Sequence, residues 1–272
     1  MRTRRLAWAA LAALISYGTI TDRPAARPPL MLGGYRVLVG DFHVHPLPFS
    51  ANTLAPWDLA LEAERQGLDV IAMTPQNSVF MARAGGWIGG AMVIPGEEVH
   101  GPRFHLIALG TRETISWRLG AAEAIDSAHR QGGVAIAAHP ARGVWPAYDR
   151  EARRKLDGAE VRQPIVFGRP GTAAELEAFY ALAPAAAIGS SDHHGIGPLG
   201  VCRTYVFVRE VSEAGVLEAI RAHRTVVVDG GKAFGDPSLL GLAEELPRAP
   251  AWPSRWWAAA GLVAMAWLAG KG

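Results

Sequence analysis

Short apolar runs alternate with longer amphipathic ones along most of this chain, and that alternation constrains its fold more than any other feature. "YRVLVGDF" reads as a strand, "PWDLALEAERQG" as a helix and "DVIAMT" as a second strand. "AMVIPG" and "FHLIALG" follow as strands, then a helix through "WRLGAAEAIDSAHRQGG" and a buried strand, "VAIAAHP". "GAEVR", "AAAIGSSD", "TYVFV" and "TVVVDGG" continue the series, separated by helices at "DREARRKL", "TAAELEAFYALA" and "SEAGVLEAIRAH". Strands repeatedly crossed over by helices predict an α/β fold with a parallel sheet closed, or nearly closed, into a barrel. The chain has 272 residues, 50% of them hydrophobic, enough for the core such a fold needs.

The two ends depart from this pattern. "MRTRR" precedes an uncharged run from Leu6 to Thr21, the layout of a secretory signal or signal anchor over residues 1–21. Residues 256–270 are again uncharged and Trp-rich, so 254–272 is expected to be a C-terminal transmembrane helix. Arginines at the start favour an inside N-terminus, which would put the central domain on the outer face. The proline-rich 22–34 and the stretch 236–253 read as linkers, leaving 35–235 as the domain. The formal net charge of +2 argues against a nucleic-acid-binding face. A single cysteine, Cys202, excludes an internal disulfide and any multi-thiolate metal site. A metal held by this chain must be held by His and carboxylate.

In a barrel of this kind functional residues gather where strands end, and there the sequence places an ordered series. The first strand ends on Asp41, His43 and His45. "PGEEVH" offers Glu97, Glu98 and His100; "RFHLIALG" carries His105; "VAIAAHP" ends on His139; "AIGSSDHHG" ends on Asp192, His193 and His194. Alternate residues of an extended chain point the same way, so His43 and His45 can face one ion together. Glu98 and Asp192 can add carboxylates. Imidazole with carboxylate suits Zn, Mn or Fe, and a carboxylate can bridge two ions. Asp41 either orients a histidine ring from behind or caps the strand end. His100 is not expected to be a ligand, and His129 and His223 are expected on helix surfaces.

The series resembles the PHP (polymerase and histidinol phosphatase) family of metal-dependent phosphoesterases, over roughly Tyr35 to Gly231. The resemblance implies a distorted TIM-like barrel of about seven βα units with a two- or three-metal site. It implies one ion held by His43, His45, Glu98 and Asp192, and a second sharing Glu98 and taking His105 and His139. Glu98 rather than Glu97 fits the family's Gly-x-Glu-aliphatic pattern in "GEEV". The family commonly has Thr-Asp-His-Asn where this chain reads "TPQN", so Pro75 and Gln76 replace third-site ligands. His194 is left as the one obvious third-site ligand, and the expectation is two held ions with a third weak or absent. Either His194 or His193 is the expected proton donor, and Arg142 or Arg203 a holder of substrate phosphate. The implied activity is hydrolysis of a small, phosphorylated ester, and the apolar ends lead to the expectation that the enzyme is membrane-associated. The segment from "TYVFV" to "VVVDG" is similar to a branch with aryl-carbamate hydrolases, which leaves carboxyl or carbamate esters as an alternative. An amidohydrolase usually has a mid-barrel lysine or an acidic bridge at longer spacing, and Lys155, Lys232 and Lys271 are not at strand ends. A metal-binding module that has lost catalysis is the other alternative.

Overall fold

A computed structural model describes residues 27–47, 54–80, 85–141, 145–164, 171–183, 185–195 and 199–248, together with Trp8. Pro28–Ala249 forms one compact unit. Of the other, Met1–Arg27 with Pro250–Gly272, only Trp8 and Arg27 are among the described residues. The expected anchor and C-terminal span therefore lie outside them. Among the described residues no helix is long and apolar enough to cross a membrane.

The strands are β1 (Leu30–Leu32), β2 (Tyr35–Val44), β3 (Val70–Met73), β4 (Gly86–Ile88), β5 (Ala91–Gly101) and β6 (Phe104–Leu109), then β7 (Val134–Ala137), β8 (Gly158–Arg162), β9 (Ala186–Gly189), β10 (Thr204–Val208), β11 (Thr225–Asp229) and β12 (Lys232–Gly235). The α-helices are α1 (Pro56–Arg65), α2 (Ala121–Arg130), α3 (Arg150–Lys155), α4 (Thr172–Leu182) and α5 (Glu213–Arg221). Their starts carry local signals. Pro56 sits in the first turn of α1, Asp149 accepts the Ala152 N–H at 2.8 Å, and Ser212 accepts the Gly215 N–H at 3.0 Å.

All strands belong to one sheet, ordered β12-β11-β10-β2-β3-β5-β6-β7-β8-β9, with β1 on β2 and β4 on β5. The sheet curls into a nearly closed barrel. At the seam, the Thr204 hydroxyl accepts the Gly189 N–H and donates to the Gly189 carbonyl, both at 2.9 Å. Above it, the His45 N–H donates to the His193 carbonyl at 3.1 Å and the His193 N–H to the His43 carbonyl at 3.3 Å.

The sheet is mixed rather than parallel. β2–β3, β3–β5, β7–β8 and β8–β9 are parallel, whereas β5–β6, β6–β7, β10–β2 and β10–β11 are antiparallel. A clean seven-fold βα repeat is therefore replaced, over 91–109, by a hairpin needing no crossover helix. "GEEVH", read as a strand end, lies inside β5. The expected 22–34 linker ends in a strand, because Gly33 and Gly34 at positive φ turn β1 back onto β2. The 236–253 linker carries a 3₁₀ turn, Leu240–Glu245, flanked by buried Leu239 and Leu246.

Leu38, Phe42, Met92, Ile94, Ile107, Leu109, Val134, Ile136 and Ile188 fill the barrel, joined by Val216 and Ile220 of α5. Outside it, Leu59 and Ala63 of α1 join the cluster of Ile71 and Val93, and Ile125 and Ala128 of α2 that of Leu106 and Ala135. The alternating inward set, continued past the apolar layer, decides which polar side chains meet at the barrel mouth.

Candidate metal centre

On β5 the inward positions are even: Met92 and Ile94 lie in the core, and Glu98 and His100 continue that face. Glu97 points the other way and accepts the Ile115 N–H at 2.6 Å. On β6 the odd residues Ile107 and Leu109 are inward, and so is His105. On β8, Ala159 and Val161 pack outward, which turns Glu160 inward. β2 begins with an even inward residue, Leu38, yet His43 and His45 are odd. The switch comes from a register shift: Asp41 pairs with Ile71 and Val44 with Met73, one extra residue on β2. Such a bulge re-aims everything beyond it. Past β7 and β9, His139 (φ +26°) and Asp192 (φ +48°) adopt left-handed backbone, which turns the chain at the strand ends. Conformations of this kind cost of order 1–3 kcal/mol and cluster at functional sites.

These elements bring four donor atoms together. His43 Nε2 lies 3.0 Å from His45 Nε2, 3.5 Å from Glu98 Oε2 and 3.3 Å from Asp192 Oδ1. His45 Nε2 lies 3.5 Å from Glu98 Oε2 and 3.0 Å from Asp192 Oδ1. Donors arranged tetrahedrally around an ion with bonds of about 2.0–2.1 Å stand about 3.3–3.4 Å apart. Each of the two histidine nitrogens is near that spacing from both carboxylates, and His43, His45 and Glu98 together form a group able to hold a divalent cation. The second oxygen of Glu98 faces away from this group: Oε1 is 3.1 Å from His105 Nδ1 and 3.1 Å from His139 Nε2. Glu98 thus has one oxygen in each of two donor groups.

The electrostatics agree. Burial alone would lower the pKa of His43, but Asp192, Glu98 and Glu160 outweigh it and hold the pKa well above the usual imidazole value. Burial and the charge on His43 lower His45. Glu98 and Asp192 are both held below the carboxylate range, despite burial, by the histidines around them.

Supporting groups fix the donors. Glu160, fully buried, accepts His43 Nδ1–H at 2.9 Å through one oxygen and the His139 backbone N–H at 2.6 Å through the other. That fixes the His43 tautomer and leaves Nε2 as the ligating nitrogen. Gln163 Nε2 donates to Asp192 Oδ2 at 2.8 Å. The buried Tyr148 hydroxyl donates to the His105 carbonyl. None of these three was singled out from sequence. Glu160 had a signal, an acidic residue at an inward parity position in "GAEVR". Gln163 and Tyr148 had none. Asp41 does not orient a ring; it accepts the backbone N–H groups of His43, Ser191 and Gly200 at 3.4, 3.0 and 2.8 Å. Burial raises its pKa to about 6.

The remaining expected residues divide. His194 stacks on His45 with ring centroids 4.0 Å apart and gives its Nδ1–H to the Asp192 carbonyl at 2.8 Å, leaving Nε2 on a half-exposed ring. His193 is buried, and burial together with the charges of His194 and His45 lowers its pKa to about 4. A neutral, enclosed imidazole is unsuited to donating protons to a substrate. Arg203 is also buried, donating to the Gly200 carbonyl at 2.9 Å and the Gln66 carbonyl at 3.3 Å, so it ties loops together rather than facing substrate. Arg142 lies outside the described residues. Gln76 is exposed, and the segment around it pairs with Glu98 through backbone alone. His100, expected in a loop beside the site, lies within β5 with Nε2 2.6 Å from Glu98 Oε2.

A barrel with this donor ring has the fold of the PHP-like metal-dependent phosphoesterases. It matches a two-domain protein containing a predicted PHP-like metal-dependent phosphoesterase from Bacteroides vulgatus with a TM-score of 0.60 and 22% identity, covering 82% of this chain and 74% of that one. PsfC from Pseudomonas syringae matches with a TM-score of 0.52 and 18% identity, over 77% of this chain and 96% of that one. No family model matches the chain. It belongs to the same family as uncharacterized protein MJ1587 of Methanocaldococcus jannaschii, to which it is 30% identical over 138 residues, 44% of this chain and 79% of that protein.

Proposed function

We propose that this protein is a metal-dependent hydrolase of phosphate esters that works with two divalent ions. The observation that carries this reading is the convergence of His43 and His45 on Glu98 and Asp192, each ring nitrogen 3.0–3.5 Å from a carboxylate oxygen of both, with the second Glu98 oxygen turned to His105 and His139. The first four residues would hold one ion; Glu98, His105 and His139 would hold the other. Mixed imidazole and carboxylate donors suit Zn, Mn or Fe. The chemistry such ions would supply is hydroxide near neutral pH and an offset to charge growing on a phosphoryl oxygen.

The chain's own residues do the rest. Glu160 keeps His43 in the ligating tautomer. Gln163 holds Asp192 in place. His194, half exposed beside His45, carries a proton to the departing ester oxygen as water adds to phosphorus and the P–O bond breaks. Pro75 and Gln76 bring neither carboxylate nor imidazole, which supports two ions rather than three.

The test is activity of the full-length chain on an aryl phosphomonoester, a phosphodiester and an aryl carboxyl ester after chelation. Activity absent in chelator and restored by Mn or Zn is expected, with phosphate esters turned over in preference. Full activity in chelator overturns the reading, and preference for the carboxyl ester replaces its substrate class.

A further inference from the structure

A second concavity lies at the other end of the barrel. Tyr180 and Ala183 at the end of α4, Ala185, His223, Asp236 and Pro237 line a cleft of about 400 Å³, within the size range of small-molecule sites. β7, β9 and β11 run in one direction. Ala185 and His223 stand where β9 and β11 start, whereas His139 and Asp192 stand where β7 and β9 finish, so the cleft and the donor ring occupy opposite ends. His223 fills a position that favours glycine. It follows α5 at φ +57° and closes the helix with a paired left-handed cap. Its N–H donates to the Ile220 carbonyl at 2.9 Å, and the Arg224 N–H donates to the Ala219 carbonyl at 2.8 Å. Glycine adopts this conformation without the steric cost that a Cβ brings. The half-buried His223 ring has no hydrogen bond or ion pair with any described residue, and it lies on the cleft wall. A histidine that strains its backbone and gains no partner in return points to a task outside folding.

The other lining groups define what that task selects. Asp236 accepts the Ser238 N–H and hydroxyl through Oδ1 at 2.8 and 2.7 Å, and its Oδ2 has no hydrogen bond among the described residues. Burial, and then the Asp236 charge, raise the pKa of Tyr180, so the phenol stays neutral beside that carboxylate. Among the described lining residues there is no lysine or arginine. α4 and α5 both end at this cleft, and helix C-termini carry partial negative charge. A carboxylate oxygen, an imidazole nitrogen and two helix ends attract positive charge, while the Tyr180 ring and the alanine methyls suit apolar carbon. The geometry points to this cleft as a binding site for a small organic cation, a primary ammonium on an apolar body, held by Asp236 and His223 and seated against Tyr180. The site stands independently of the metal centre and of the hydrolase reading.

The experiment titrates metal-free, full-length protein at pH 7 with benzylamine, benzyl alcohol and benzoate, following binding by NMR; without metal, no ion competes for the amine nitrogen. The three probes share a ring and differ in charge. Benzylamine is expected to bind one per chain, benzyl alcohol about tenfold more weakly or worse, and benzoate not at all. Asp236→Asn keeps the Oδ1 acceptor for Ser238 and removes the charge, so benzylamine should weaken by about tenfold or more. His223→Gly relieves the left-handed strain, so the protein should resist urea better than wild type while benzylamine weakens by about fivefold. A residue with a purely structural role would not raise stability and lower binding in one substitution. Asp58→Asn, on the exposed face of α1, should leave binding unchanged. Equal binding of benzylamine and benzyl alcohol, no benzylamine binding in wild type, or an affinity within twofold of wild type in Asp236→Asn or His223→Gly would overturn the inference. Each of these results leaves the reading of the metal centre untouched.

Discussion

Glu160→Gln isolates the support behind the first donor group. Each Glu160 oxygen accepts one buried donor, His43 Nδ1–H at 2.9 Å and His139 N–H at 2.6 Å. An amide keeps one acceptor and turns an NH₂ toward the other donor, whichever way it flips. If the NH₂ faces His43, the imidazole must change tautomer or rotate, and Nε2 leaves the position it holds 3.0 Å from His45 Nε2. If it faces His139, the strained turn at φ +26° loses its tether. Removing the partner behind a metal-binding histidine typically lowers metal affinity by about 10–100-fold, or about 1.4–2.7 kcal/mol. A buried donor left facing a donor costs about 1–3 kcal/mol in the metal-free protein. The assay is competition for Zn against a chelator of known affinity, paired with urea unfolding of the metal-free protein. Zn affinity within twofold of wild type, with unchanged metal-free stability, would refute the claim that Glu160 positions this site.

Glu97 lies on the outer face of β5, fully buried, with its carboxyl raised to about 7 by burial despite the Ile115 N–H. A carboxyl raised on folding favours the folded state while neutral, so stability should fall as pH rises from about 4.5 to about 7 and level off above. The loss is about 3 kcal/mol, and Glu97→Gln should be more stable than wild type at pH 8 and flatten the pH profile of unfolding. Tyr148→Phe removes the hydroxyl that donates to the His105 carbonyl; a loss of about 0.5–1.5 kcal/mol is expected in urea unfolding. Zn at about 1,000 times its dissociation constant should stabilise the protein by about 4 kcal/mol, and an unmoved melting temperature would count against a built metal site.

How much of this was legible in the sequence depended on what each feature rests on. Donor identity is local chemistry, so His43, His45, Glu98, His105, His139 and Asp192 stand out in the sequence and do converge. Strand direction is not local: nothing in "AMVIPG" or "FHLIALG" says that their strands form a hairpin rather than flank a crossover. The bulge between Asp41 and Val44 is equally silent, although without it His43 and His45 would face outward. Glu160 is not distinguishable from sequence, because one acid in a short strand looks like any other until its parity is known. His100 reads as a loop residue if β5 stops before it; inside the continuous strand, its spacing from Glu98 puts it on the same face.

The seam of the sheet carries a last consequence. His45 stands on one bank of it and Asp192 on the other, and the carboxylate meets the imidazole at 3.0 Å across the gap. Whatever positive charge rests between them acts as a buckle on a hoop whose neighbouring strands are stitched at that point by a threonine hydroxyl. Chemical occupancy and mechanical integrity are then one property. A substitution that empties the buckle should loosen the hoop, so a drop in turnover and a rise in amide exchange near Gly189 would arrive together.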